Sequence, residues 1–181
     1  MISETLNDQI RECYGRCVYT HKAHEKCADI LHKRNACYKT WQIVLSAITS
    51  SGILAVVFTD CCCLKFITAS ISAIATFFTV YLKNFNPEEV AQKHGEAALE
   101  LWDIRESYQS LLVDIKDDRI ESGDVIQKRD ILQQRLHAVF KASPRTFEKA
   151  YNKAVKALKE NEEMSFSDEE INALLPKHLR K

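Results

Sequence analysis

Glycine and proline are scarce: the 181 residues hold 4 Gly and 3 Pro, too few for the repeated tight turns of a sheet protein. Gly15, Gly52, Gly95 and Gly123 are isolated, so no glycine-rich loop is available to cradle phosphate. A charge excess of either sign is also lacking. Lys plus Arg total 25 and Asp plus Glu total 25, which leaves no global basic field to recruit nucleic acid by counterion release, and no direct DNA binding is expected. A secretory signal is not expected either, because about forty largely polar residues precede the first apolar stretch.

What is present is concentrated. The mean hydropathy of −0.25 averages a polar bulk with one apolar region from Trp41 to Leu82. Trp41 to Phe58 is a run of 18 residues without formal charge, and Phe66 to Leu82 a run of 17, separated by Thr59-Asp60-Cys61-Cys62-Cys63-Leu64-Lys65. At ~1.5 Å per residue each run reaches roughly 25 to 27 Å, slightly short of a ~30 Å hydrocarbon core unless flanking residues contribute. Buried helices of a soluble bundle are the alternative. Two adjacent helices apolar on every side would then need a larger surrounding domain than the remaining amphipathic helices can form. A bilayer supplies that surrounding directly.

Lys22, Lys26, Lys33, Arg34 and Lys39 precede the first run and Lys83 follows the second, whereas the connecting loop holds only Lys65, beside Asp60. This asymmetry predicts that both termini lie in the cytoplasm. Trp41 and Tyr81 stand where interfacial aromatic anchors belong. Both runs are rich in hydroxyls, and Thr68, Ser72, Thr76 and Thr79 share one helical stripe. Close helix packing accounts for such a stripe. The sharper reading is a pore wall, with Ser46, Ser50, Thr68, Ser72, Thr76 and Thr79 as the lining candidates. Two spans cannot enclose a channel, so a pore requires a homo-oligomer.

Heptad-like seams flank the hairpin: Leu6, Ile10, Cys13, Cys17, Thr20, His24, Cys27 and Leu31 before it, then Val90, His94, Ala97, Leu101, Ile104, Tyr108, Leu111 and Ile115 after it. A hairpin returns the chain to its starting side, so these seams are expected to zip together. The second seam helix has a start signal in Asn86, Pro87, Glu88 and Glu89 and an expected end near Asp118. Further helices are predicted from Asp124 to Ala142, from Ser143-Pro144 to about Glu160, and after a cap at Ser167 with Glu170.

The fold class is therefore all-α: a two-span transmembrane helical hairpin continued as an antiparallel cytoplasmic helical stalk, with additional C-terminal cytoplasmic helices. The expected division is an N-terminal stalk helix over 1–40, the hairpin over 41–82 with spans at about 41–58 and 66–82, a second stalk helix over 83–121, and C-terminal helices over 122–181. His94, Leu101, Trp102, Arg105 and Tyr108 are the candidate stalk and oligomer contacts. The basic tail Leu175 to Lys181 reads as a solvated end.

No catalytic set is legible. Cys13, Cys17, His21 and His24 share a helix face, but four ligands on one straight helix do not surround a tetrahedral zinc, and buried packing fits them better. No metal and no cofactor is expected. Cys61, Cys62 and Cys63 fall in the connecting loop, where interfacial burial, crosslinking between subunits and a reactive thiol are all open. His94 and Tyr108 fall on the seam without a nucleophile, base and orienter around them, and Arg105 could anchor a subunit contact or an anionic ligand.

The stretch Asn84-Phe85-Asn86-Pro87-Glu88-Glu89, followed by His94-Gly95-Glu96-Ala97-Ala98 and Leu101-Trp102-Asp103-Ile104-Arg105-Glu106-Ser107-Tyr108, resembles the SLATT family of bacterial two-span proteins. Ala142-Ser143-Pro144-Arg145-Thr146, ahead of an Ala/Lys-rich helix, resembles it as well. The resemblance covers nearly the whole chain and its motifs are structural. It implies an effector of anti-phage conflict systems, associated with a separate nucleotide-signal synthase, nucleotide sensor or reverse transcriptase, that permeabilises the bacterial inner membrane. A non-conducting membrane anchor for a partner enzyme is the alternative.

Overall fold

The computed structural model describes residues 2–59 and 62–180. Among the described residues there is no β-strand, and six α-helices follow one another: α1 Glu4–Phe58, α2 Cys62–Phe85, α3 Pro87–Lys116, α4 Ser122–Ala142, α5 Glu148–Lys159 and α6 Asp168–Leu174, with a 3-10 turn at Lys177–Leu179. The all-α, two-span architecture expected from the sequence is what forms. Cys62 and Cys63, expected in the connecting loop, belong to the first turn of α2, and Asp60 and Cys61 lie outside the described residues.

The stalk segment before Trp41 and the first span are not separate helices. They form one 55-residue helix, because nothing between Glu4 and Phe58 interrupts the backbone ladder: proline is absent, and Thr20 and Thr40 turn their hydroxyls back to carbonyls four residues earlier, those of Arg16 and Ala36. α2 starts at Cys62, four residues before the apolar run, and its 24 residues reach ~36 Å, enough for the hydrocarbon core.

Only Asn86 separates α2 from α3. It adopts a left-handed φ of 33°, which asparagine tolerates better than most residues, and its side chain pairs with Glu89, accepting from the backbone N–H at 3.4 Å and donating to the carboxylate at 2.9 Å. The helix predicted from Ser143-Pro144 begins later, at Glu148. Pro144 disfavours helical geometry at the residue before it, and Ser143 is extended (ψ 149°) with its hydroxyl donating to the Val139 carbonyl. α6 has the predicted capping box, Ser167 Oγ accepting from Glu170 N and Glu170 accepting from Ser167 N.

The chain divides into two compact units, one formed by residues 1–26 and 97–181 and the other by 27–96. The core of the first is built from Leu6, Ile10, Cys13 and Cys17 of α1, Ile104, Tyr108 and Leu111 of α3, and Val125 and Leu132 of α4. Cys13 of α1 lies near Tyr108 of α3, and His21, two turns further along α1, feels the charge of Arg105, an order that sets α1 antiparallel to α3 there. On α5, Ala150, Ala154 and Ala157 are buried, small side chains at helical spacing that let the helix sit close to the rest of the unit.

Leu101 is fully buried in α3. Leu101→Ala should therefore cost about 2–5 kcal/mol through lost transfer energy and a residual cavity, read as a lowered thermal midpoint of the purified protein in detergent. An unchanged midpoint would contradict this packing.

Candidate functional site

The second unit contains the apolar hairpin. Both long apolar stretches meet the length and composition of a membrane span, and they are not core helices. None of the first 18-residue window is buried within the protein, and 6% of the window in the stretch beginning at Cys62. Ile43 and Val57 are 70% and 73% exposed. The helices run antiparallel, as Gln42 donating to Thr79 at 2.9 Å and the packing of Gly52 under Thr68 require.

The contact face of α1 comprises Gln42, Leu45, Thr49, Gly52 and Val56, all half-buried; that of α2 centres on Leu64, Thr68, Ile71, Ala75, Phe78 and Leu82. At roughly 100° per residue, Ser46 and Ser50 fall on one flank of the α1 face, and Ser72, Thr76 and Thr79 on one flank of the α2 face. Since α2 runs the opposite way, both sets turn to the same side of the hairpin. The Gln42–Thr79 bond, made from that side, agrees with this register. Ser46, Ser50, Thr76 and Thr79 are exposed there and Ser72 is half-buried.

Several of these hydroxyls are already satisfied within their own helix. Ser50 donates to the Ser46 carbonyl at 2.9 Å, Thr76 to Ser72 at 2.9 Å and Thr79 to Ala75 at 3.0 Å. Such back-bonding removes the cost of an unpaired donor in hydrocarbon while leaving oxygen lone pairs outward.

Thr68 is placed otherwise than the expected pore wall requires. It is 8% exposed, and a Cβ added at Gly52 would stand 2.7 Å from its Oγ1. Glycine is needed at 52 because the helices approach so closely there, and Thr68 belongs to that packing.

At the end of the hairpin bearing Trp41, Tyr38, Phe77, Phe78, Tyr81 and Phe85 form an aromatic cluster, with Tyr38–Tyr81 edge-to-face at 5.6 Å and Tyr81–Phe85 at 4.7 Å. Glu88 gathers Asn35 by a short hydrogen bond, His32 Nδ1 at 3.4 Å and Lys39 Nζ at 3.5 Å.

In the first unit the ionisable groups converge on the loop after α5. Glu163 receives Lys22 at 3.0 Å and Lys26 at 3.2 Å, and these ammonium groups hold its carboxyl down at about 2. Burial works against the Lys22 charge, yet its hydrogen bonds to Glu25 and Glu163 outweigh that, and its pKa ends above the ordinary value. Arg105 binds Glu106 and donates to the Met164 sulfur at 3.6 Å. Glu162 and Met164, with φ of 52° and 148°, occupy backbone regions costly for L-residues and are held there by these contacts. Burial lowers the pKa of His21, although Glu25 acts in the opposite sense, and its Nδ1 is buried without a hydrogen-bond partner.

Burial also sets the chemistry of the seam. The Cys17 thiol is pushed up to about 11 by desolvation, then by its neighbour Cys13, so it carries almost no thiolate. The Tyr108 hydroxyl is raised for the same reasons and lies beside Cys13 and Cys17 without a well-formed hydrogen bond. Burial lowers His94. No group of three or more His, Cys, Asp and Glu side chains converges to hold a metal among the described residues.

The family model described as SMODS and SLOG-associating 2TM effector domain family 4 matches residues 6–170. The chain belongs to this family. Comparison with curated proteins and with solved structures returns no match. With two uncovered apolar helices and membership of a 2TM effector family, the chain is a membrane protein, and its class is that of membrane effectors in defence systems rather than a known enzyme family.

Within this 2TM effector domain the structure separates the contact residues read from the sequence. Leu101 and Tyr108 are buried in the first unit, Arg105 is tied to Glu106 and Met164, Trp102 remains 46% exposed, and His94 is buried in the second unit. Sequence reasoning missed Gln42, Gly52 and Glu163. A lone polar or glycine residue in an apolar run, or a carboxylate in a loop, carries no period that singles it out.

Gly52→Ala should lower the melting temperature by wedging the hairpin apart, and Thr68→Ala added to it should restore much of the loss; a double mutant as unstable as the sum of the singles would reject the contact. Acid should weaken the first unit. His21 has a folded pKa below its ordinary 6.5, so its contribution is intact above that pH and declines as the unfolded chain takes up protons below it. A melt series from pH 7.5 to 5 should fall accordingly, less steeply in His21→Gln.

Proposed function

We propose that several copies assemble in the bacterial inner membrane, crossing it twice with both termini cytoplasmic, and that their hairpins join along the hydroxyl-bearing side to form an ion path. The supporting observation is the alignment of Gln42, Ser46, Ser50, Ser72, Thr76 and Thr79 on one flank of an otherwise apolar pair. Outward oxygen lone pairs from neighbouring copies could replace part of an ion's hydration shell. Thr68 is left out of this wall. The cations Lys33, Arg34, Lys39 and Lys83 at one end of the hairpin favour the cytoplasmic side for that end.

Residues 1–40 and 83–181 form the cytoplasmic part in this reading and receive the trigger from a separate partner, in keeping with a family named for its association with SMODS and SLOG. The trigger opens the path only if it binds the open arrangement more tightly than the closed one. Leakage then disables the infected cell.

The hydroxyls bonded back to their own helices favour a second reading, a non-conducting membrane anchor for a partner enzyme. Ion flux in liposomes decides between them. Wild-type protein should conduct when triggered, and Ser72→Leu with Thr76→Leu should abolish flux while leaving membrane insertion intact. Flux unchanged by both leucines would remove this stripe from the path, and an absence of flux in the triggered wild type would leave the anchor.

A further inference from the structure

Arg34 is held in an unusual way for an arginine at the end of a transmembrane hairpin. Its Nε donates to Tyr38 Oη at 2.7 Å and its Nη2 to Tyr81 Oη at 3.1 Å, while the guanidinium carbon lies 5.2 Å from the Tyr38 ring centroid. The side chain thus bridges α1 and α2 through two neutral phenols. Its interacting neighbours among the described residues include no carboxylate, although Glu88 is close enough in the same unit to take His32, Asn35 and Lys39.

Two consequences follow from the chemistry of the guanidinium. Five N–H donors are present and the phenols accept two of them, so a planar set of donors stays open on a side chain whose rotation is stopped by two hydrogen bonds and a ring. The positive charge also stays uncompensated, because a phenol accepts a hydrogen bond without bringing a negative charge. Depth in the bilayer is fixed by the partners: Tyr81 stands two residues before Lys83, the first charge after the second apolar run, and Lys39 is the last charge before the first. That is the level of lipid headgroups, where the dielectric is lower than in water and an open guanidinium matches a phosphate in two-point fashion.

We propose that Arg34, positioned by Tyr38 and Tyr81, is a binding site for the phosphodiester of an anionic phospholipid. The rings of Phe77, Phe78 and Phe85, packed against Tyr38 and Tyr81, offer a surface for the glycerol and upper acyl chain. Lipid bound there would touch both helices and tie the hairpin together at its charged end.

The test uses the full chain in nanodiscs of phosphatidylcholine with and without phosphatidylglycerol, read by lipid retained in native mass spectrometry and by thermal shift. Phosphatidylglycerol should be retained preferentially and raise the melting temperature. Arg34→Gln should reduce that retention about tenfold, the scale of a charge-assisted hydrogen bond, whereas Lys33→Gln, altering the adjacent exposed cation, should leave it unchanged. If Arg34→Gln does not fold, Tyr38→Phe with Tyr81→Phe retains the charge and removes only its supports, and retention should still fall. Equal losses in Arg34→Gln and Lys33→Gln would mean a diffuse basic surface and overturn the site. Absence of any preference for phosphatidylglycerol would overturn it too. A matching thermal shift from inorganic phosphate in phosphatidylcholine discs would assign the guanidinium to free phosphate and reject the lipid.

Discussion

From Trp41 to Phe58 and from Cys62 to Leu82 the backbone satisfies its hydrogen bonds inside two helices, while side chains that a water-soluble protein would sink into a core remain on the outside. Each helix can cover only one face of the other. Burying the remainder is worth roughly 25 cal/mol per Å² of apolar surface removed from water, and the described residues supply nothing to bury it against, so lipid or further copies must. The close approach at Gly52 and Thr68 and the Gln42–Thr79 bond are the details that turn two apolar helices into a defined hairpin with distinguishable sides.

Distinguishable sides matter because the hairpin is not uniform around its axis. One flank carries hydroxyls and Gln42; the end bearing Trp41 carries aromatic rings with Arg34 among them. The hydroxyl flank tolerates lipid where Ser50, Thr76 and Thr79 donate back to their own helices, and it tolerates water because its oxygens stay outward. That dual tolerance is a physical requirement for any surface that exchanges between lipid, a neighbouring copy and a hydrated path.

The helices of the first unit follow a different logic. Cysteine, histidine and tyrosine along and beside the α1 and α3 seam look reactive as residue types, yet desolvation moves Cys17, His21 and Tyr108 toward their neutral forms. They serve as packing groups. The charged chemistry of the unit is displaced to its edge, where Glu163 receives two lysines and Arg105 reaches Met164.

Much of this was determined by the sequence alone. Apolar runs, heptad spacing, the Asn86-Pro87 start and the Ser167 capping box are local patterns, and local patterns survive as elements because they depend on backbone hydrogen bonding and side-chain period. The two heptad seams supply the buried residues Leu6, Ile10, Cys13, Cys17, Leu101, Ile104, Tyr108 and Leu111. Tertiary structure decided what periodicity leaves open. Thr68 and Thr76 belong to one helical stripe, yet the antiparallel approach of α1 covers the first at Gly52 and leaves the second exposed. Ser143-Pro144 has a helix-start pattern, yet residues 144–147 stay outside any helix and α5 starts at Glu148, with its alanine face buried. Glu163 and the bridging of Arg34 to Tyr81 depend on residues brought together from far apart along the chain, and proximity of that kind is set by the fold, with no spacing along the chain to announce it.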